Sequence, residues 1–289
     1  MPNAPVIPTV RRRRLGSTLR MLRNKAGMTL DEASVAMGWK APKMSKIENA
    51  FATIRSAEVT TLLQVYGVTD PEIYSALEAL AKDAGKKGWW QTYSGVVAPA
   101  YADYISLESD AESIKVFAPL LIPGLLQTAA YARETISGIT MTRTPEEIAA
   151  LAELRLARQS VLTRPSGPLK LWAVISEAVL HQRFAVRPST MRDQLRRLTD
   201  CADLPNVTIQ VMPLDATPHP GYAGGFSVVG FPSALPDVVT LENLLGLAYL
   251  EEDSEVNTFT DAFSRIVAAA SPVDDSKALI ARMEKGTRQ

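Results

Sequence analysis

The chain has 289 residues, 46% of them hydrophobic, with 31 basic residues against 31 acidic ones. That length is generous for a single core and favours two domains, while the even charge excludes a uniformly basic nucleic-acid protein. One cysteine, Cys201, and two histidines, His181 and His219, exclude an internal disulfide, a cysteine zinc site and a histidine-rich metal cage, so neither metal nor cofactor is expected.

No run of about eighteen apolar residues is present to span a bilayer, and Arg11 to Arg14 is not followed by the apolar segment of a signal peptide. No membrane partner is expected, and the expected location is the cytoplasm, at the nucleoid. The even total hides an asymmetry. Residues 1–88 hold fourteen Lys and Arg against eight Asp and Glu, a net +6, which leaves −6 for residues 89–289. The first segment can meet phosphate and the second cannot readily do so.

In chain order, residues 1–10 carry three prolines without a period and, with the arginines that follow, read as a flexible basic arm over 1–13. Leu15, Leu19 and Leu22 then recur at helical spacing, and Gly27 ends the helix they mark. Thr29 and Glu32 stand in the capping-box relation and open a second helix, with Ala33 and Met37 inward and Gly38 at the corner. Pro42 suits the first turn of a third helix that buries Met44 and Ile47 and exposes Lys43 and Lys46. A fourth helix is expected from Ser56 to Gly67 and a fifth from Asp70-Pro71 to Gly85. The boundaries are therefore 14–85 for an all-α five-helix domain, 86–88 for a linker and 89–285 for a second domain.

In that second domain, residues 112–119, 169–175, 206–213, 224–231 and 237–243 read as strands. Residues 124–136, 145–162, 190–204, 253–270 and 275–284 read as helices. The expected fold class is multidomain, the helical domain being followed by an α+β domain with a mixed, largely antiparallel sheet of about five strands.

The helix, glycine corner and helix of residues 29–49 resemble the helix-turn-helix of the phage-repressor, or Xre-type, DNA-binding family, through Ala33, Ser34, Met37, Gly38, Trp39, Met44 and Ile47 and the ending Ser45-Lys46-Ile47-Glu48. The resemblance implies a double-stranded DNA partner. It sets Ala41, Pro42, Lys43 and Lys46 against bases and Lys40 and Asn49 near phosphates, with Arg11, Arg12, Arg13 and Arg14 following the backbone or entering a minor groove. Leu30 stands where the family often has Gln, Ser34 where it prefers Ala, and Ala50 where it has Gly; the last moves the turn residue to Asn49.

The stretches GLLQTAAYAR (124–133), RLARQ (155–159), LWAVISEAVL (171–180), QLRRL (194–198), VTIQVMPLD (207–215), HPGYAGGFSV (219–228) and VVTLEN (238–243) resemble the C-terminal domain of a group of actinobacterial helix-turn-helix regulators. That likeness implies a regulator encoded beside a small partner protein, of developmental, antibiotic-pathway or antitoxin-like role.

Chemistry in the second domain has bland readings beside the functional ones. Glu177 stands at a strand end where an acid could act, or merely in a first helical turn that the helix dipole favours. His219 lies in a Pro- and Gly-rich loop without a nucleophile elbow. Arg155, Arg158 and Gln159 share a helix face and could grip an acidic partner or pair with a nearby glutamate. Trp89, Trp90 and Tyr93, with Tyr101 and Tyr104, could line a partner or ligand groove or form a core. The acidic run 251–255 reads as a solvated turn before a helix. No catalytic group is assigned, and the chain is expected not to be an enzyme. The expectation is a sequence-specific transcriptional regulator whose second domain forms a homodimer and receives a small protein or ligand. The alternative is an antitoxin-like or enzymatic second module, with the helix-turn-helix serving only its own promoter.

Overall fold

The computed structural model describes residues 9–83, 88–140, 142–165, 167–232, 235–244 and 246–286. The chain divides into two compact units, one of residues 1–89 with 231–236 and the other of residues 90–230 with 237–289. Residues 1–8, Ala84, Gly85, Lys86 and Lys87 lie outside the described residues, so the start of the expected arm, the end of the fifth helix and most of the linker are not among them.

The first unit is built of α1 (Val10–Lys25), α2 (Leu30–Ala36), α3 (Ala41–Glu48), α4 (Ser56–Val65) and α5 (Pro71–Asp83). Leu15, Leu19 and Leu22 of α1 meet Ala33, Met44, Ile47, Val59, Leu62, Leu63 and Leu77 in one core. The stripe that the leucines trace on α1 is what fixes its inward face. Contrary to the expected flexible arm, α1 begins at Val10, which is fully buried, and is capped by Thr9, whose hydroxyl accepts from the Arg12 N–H. The arginine run is thus the first turn of a helix. Thr9 satisfies the Arg12 N–H of that turn, and burial of Val10 anchors it.

The second unit contains α6 (Pro99–Asp110), β1 (Ser113–Ala118), α7 (Ala129–Ile139), α8 (Pro145–Arg158), β2 (Lys170–Ser176), α9 (Glu177–Leu180) and α10 (Ser189–Ala202). It continues with β3 (Val207–Met212), β4 (Phe226–Gly230), β5 (Val238–Asn243), β6 (Gly246–Leu250), α11 (Asp253–Ala269) and α12 (Val273–Gly286). The chain is therefore a helical region followed by an α+β domain with a six-stranded mixed sheet in the order β3-β2-β1-β4-β5-β6. The sheet has one strand more than expected. β2 pairs in parallel with β1 and β3, whereas β4 pairs antiparallel with β1, β5 with β4 and β6 with β5. Phe117, Val174, Met212, Phe226, Val228 and Val239 of the sheet pack with Val256, Phe263 and Ile266 of α11.

Local differences have local causes. The helix expected over 124–136 starts later, because Thr128 caps α7 by accepting from the Tyr131 N–H and leaves Gly124–Leu126 as a separate 3₁₀ turn. Helix α11 starts at Asp253 as expected, but with Glu252 as its N-cap residue, so Asp253 and Glu255 of the acidic run sit in its first turn, where the helix dipole favours acids, and not in a turn before it.

Candidate nucleic-acid interface

The corner between α2 and α3 is set by backbone chemistry. Thr29 Oγ1 accepts from the Glu32 N–H at 3.2 Å while Glu32 Oε2 accepts from the Thr29 N–H at 2.8 Å, closing the capping box. The Thr29 N–H and then the Thr29 hydroxyl, which donates to Glu32 Oε2 at 2.8 Å, hold the Glu32 carboxyl below the usual carboxylate range. Gly38 takes φ 65°, a left-handed value that costs glycine nothing, and its N–H and that of Trp39 return to Val35 and Ser34 carbonyls. Lys40 is the N-cap residue of α3 and Pro42 lies in its first turn.

Met44 and Ile47 are buried, so α3 presents its other side to solvent. Pro42, Lys46 and Asn49 follow at i, i+4, i+7 and are all exposed, as is Lys40; this spacing lines up one face of a helix. Ala41 is half-buried at its start. Residues 10–50 hold ten basic against three acidic residues, which concentrates the positive charge of the first 88 residues around this corner.

The structure corrects three expectations. Arg14 is 1% exposed, with its guanidinium 3.3 Å from the centroid of the Phe231 ring, so it is part of the packing of the first unit and cannot reach a phosphate. Arg11, Arg12 and Arg13 are half-buried on α1. Lys43 is turned away from the exposed face of α3: its ammonium lies 2.7 Å from Glu58 Oε1 and 3.6 Å from the Trp39 ring centroid. Lys43, followed by the Arg55 N–H that donates to Oε2, holds the Glu58 carboxyl below its ordinary range. Finally, the turn after α3 falls on Ala50 itself, at φ 63°, while Asn49 keeps φ −92°. The Ala50 methyl is buried, and its packing offsets a left-handed conformation that an alanine otherwise disfavours.

Two partners of α3 are invisible to helical spacing. Arg23 Nε and Nη2 donate to Glu48 Oε1 and Oε2 at 2.7 and 2.9 Å, a buried bidentate pair between α1 and the end of α3. Arg20, half-exposed, donates to Asn49 Oδ1 at 2.6 Å and to the Glu48 carbonyl, adding a cation beside the exposed face. Asn49 in turn donates to the Ser45 carbonyl. The approach of the two helices depends on Gly16, where a Cβ would meet the Glu48 carbonyl oxygen at 2.6 Å and that of Ile47 at 2.7 Å. Gly16→Ala is therefore expected to force α1 from α3 and to destabilise the first unit by about 1–3 kcal/mol, measured as a fall in the midpoint of its thermal unfolding.

In the second unit the residues expected to grip a partner are structural instead. Arg158 is buried and donates from Nε and Nη2 to both oxygens of Glu108 at 2.8 and 2.7 Å, and from Nη1 to the Tyr101 hydroxyl. The stacked rings of Tyr101 and Tyr104 lie against its guanidinium. Burial and the Glu108 charge push the Tyr104 hydroxyl well above the ordinary tyrosine range. Arg155 donates to Gln127 Oε1, and Gln159 donates to the carbonyls of Gly124 and Gln127 while accepting from Arg197. Gln194 donates to the Leu126 carbonyl and accepts from the Thr128 N–H. These side chains clamp the connection between β1 and α7, satisfying backbone groups that burial would otherwise leave without partners.

Glu177 Oε2 accepts from the Leu214 N–H at 3.2 Å, and its Oε1 lies 3.6 Å from His181 Nε2. His219 Nδ1 accepts from the Gly221 N–H, and its ring stands edge-on to Phe117 and beside Tyr222. Partial burial pushes the His219 pKa down. Glu177 and His219 are thus fixed by separate partners. Trp89, Trp90 and Tyr93 fall in one 3₁₀ turn, Trp89 exposed and the other two half-buried. Among the described residues no group of three His, Cys, Asp or Glu side chains could hold a metal ion, and no helix is long and apolar enough to cross a membrane.

A helix-turn-helix domain model matches residues 14–75, from within α1 to the first part of α5. A second model, described as a domain of unknown function (DUF5753), matches residues 101–282, more than half of the chain. The chain belongs to the DUF5753 family. The DUF5753 match spans the whole sheet and begins within α6, the helix that supplies Glu108. No curated protein and no solved structure matches the chain. Together the helix-turn-helix match and the basic corner make the chain a DNA-binding regulator with a DUF5753 domain attached.

Proposed function

We propose that the chain is a sequence-specific, Xre-type transcriptional regulator that acts as a homodimer at the nucleoid. Residues 14–85 read the duplex, and residues 89–285 dimerise and receive a small protein or ligand. The observation that carries the reading is the exposed face of α3, where Lys46 stands between Pro42 and Asn49 on a helix whose opposite side is buried. A lysine on a guanine edge is among the commonest specific contacts in a major groove. Two such helices in a dimer meet half-sites about 34 Å apart, which implies an inverted-repeat operator.

The net −6 of residues 89–289 supports a role in protein or ligand contacts rather than phosphate contacts. The DUF5753 domain works by binding and not by turnover on this reading. Arg155, Arg158 and Gln159 are engaged in its scaffold, and Glu177 and His219 each hydrogen-bond a different backbone N–H.

The test is genome-wide recovery of duplex bound by the full chain, followed by titration of a recovered site. A few sharp sites sharing an inverted repeat are expected. Lys46→Ala weakens binding to them by about 1–3 kcal/mol, with its effect concentrated at one base position of each half-site. Diffuse recovery that Lys46→Ala leaves unchanged removes α3 as the reading helix.

A further inference from the structure

The turn that ends α3 closes as a Schellman motif. The Ala50 N–H donates to the Ile47 carbonyl at 2.9 Å and the Phe51 N–H to the Lys46 carbonyl at 2.7 Å, with the Ala52 N–H reaching the same oxygen at 3.0 Å. An apolar residue in the position of Phe51 commonly folds back on the third or fourth residue before the cap. Counting from the cap residue Asn49, those residues are Lys46 and Ser45. Both are polar, and the phenyl ring is left 66% exposed. The backbone of Phe51 is thus fixed to that of Lys46 while its ring stays in water.

A single exposed apolar side chain carries no meaning by itself; the surroundings of this one give it a partner. Phe51 follows directly on the face that carries Pro42, Lys46 and Asn49, and Arg20 adds a cation at Asn49. The positive charge of this corner draws a duplex to it. A phosphate offers nothing to a phenyl ring. The apolar group that a major groove presents is the C5-methyl of thymine. That methyl stands at the outer edge of its base, along the groove wall and near the backbone. A side chain just past the end of the reading helix therefore meets it, while residues nearer the helix start meet base edges.

Resting on the proposal that α3 reads DNA, we infer that Phe51 is a specificity-determining residue: its ring packs on the C5-methyl of one thymine in each operator half-site, beside the base that Lys46 reads. Burying one methyl-sized apolar group favours a half-site that carries it by about fourfold. A sequence without the methyl there receives no such gain, so the contact raises operator affinity more than random-duplex affinity.

The probes are a duplex recovered with the wild-type full chain, the same duplex with its thymidines replaced one at a time by deoxyuridine, which removes only the methyl, and a random-sequence duplex. Wild-type binding is expected to fall about fourfold at one thymine of each half-site. Phe51→Ala, which alters both copies in a dimer, loses about 15-fold on the recovered site and less than about twofold on the random duplex. Its melting is unchanged, because the ring is exposed. At the sensitive thymine the variant no longer distinguishes thymidine from deoxyuridine, since the two changes remove the same contact.

A recovered site with no methyl-sensitive thymine, a methyl effect of equal size in Phe51→Ala, or wild-type operator affinity in that variant would each overturn the role of Phe51. The loss caused by Lys46→Ala is independent of these outcomes and keeps the DNA reading in place. A wild-type chain that recovers no shared site overturns both.

Discussion

Glu108→Gln is expected to destabilise the DUF5753 domain by about 3–5 kcal/mol. Glu108 is 1% exposed and Arg158 is 5% exposed, and both carboxylate oxygens accept from the guanidinium. Neutralising one partner leaves the arginine charge buried. It cannot discard its proton to escape, because a guanidinium stays protonated in a protein even without its carboxylate partner. The stacked tyrosines soften the loss only in part, since a cation over an aromatic face recovers about 0.5–2 kcal/mol. Denaturant unfolding of the full chain measures the effect as a fall in the midpoint of the transition belonging to the second unit. The double variant Glu108→Leu with Arg158→Met is expected to lose much less than either charge-breaking single variant, because it buries no orphaned ion. A single variant as stable as the wild type would mean that the pair is hydrated in solution.

Glu48→Gln is expected to cost the helix-turn-helix about 3 kcal/mol, at the lower end of the range for a broken buried pair because the Arg23 side chain keeps 10% of its exposure. Arg23 also donates to the Met28 carbonyl at 2.8 Å, and this bond survives the change. The variant alters no residue of the exposed α3 face. Operator binding should therefore be close to wild type well below its lowered melting temperature and collapse as the first unit melts. Lys46→Ala behaves in the opposite way, with unchanged melting and weakened binding at every temperature. Calorimetry paired with binding isotherms at two temperatures separates the two.

Much of the corner was legible because its signals are local. Thr29, Glu32, Gly38 and Pro42 each act within one helical turn, and Met44 and Ile47 mark the buried side by spacing alone. The direction in which Lys43 points was not legible, for it depends on Glu58 fifteen residues away and on a ring from the preceding corner. Arg23 with Glu48 and Arg158 with Glu108 are separated by 25 and 50 residues, and nothing in helical periodicity announces such pairs. Arg158 looked like part of a binding face because it shares a turn with Arg155 and Gln159; burial reverses that reading. Strand β6 is not legible because Leu247–Leu250 is a short unbroken apolar run without the period-two alternation that marks a strand. Helix α6 gives no apolar stripe for a related reason: it buries Ser106 and Glu108 along with Ile105 and Leu107.

The order of strands also bears on how the chain is made. Strand β1 lies at the middle of the sheet, yet its antiparallel neighbour β4 pairs Gly230 with Ser113, more than a hundred residues later. Helices α1 to α5 draw most of their partners from within about 75 residues, so they can pack early, whereas β1 keeps one open edge until β4 has been synthesised. At about 5–20 residues per second, a nascent chain carries that unpaired edge for roughly 5–25 seconds. Chains that stall in this interval expose an apolar strand edge able to pair with another chain, which makes the stretch between β1 and β4 the one in which slow translation or early release favours aggregation over a finished sheet.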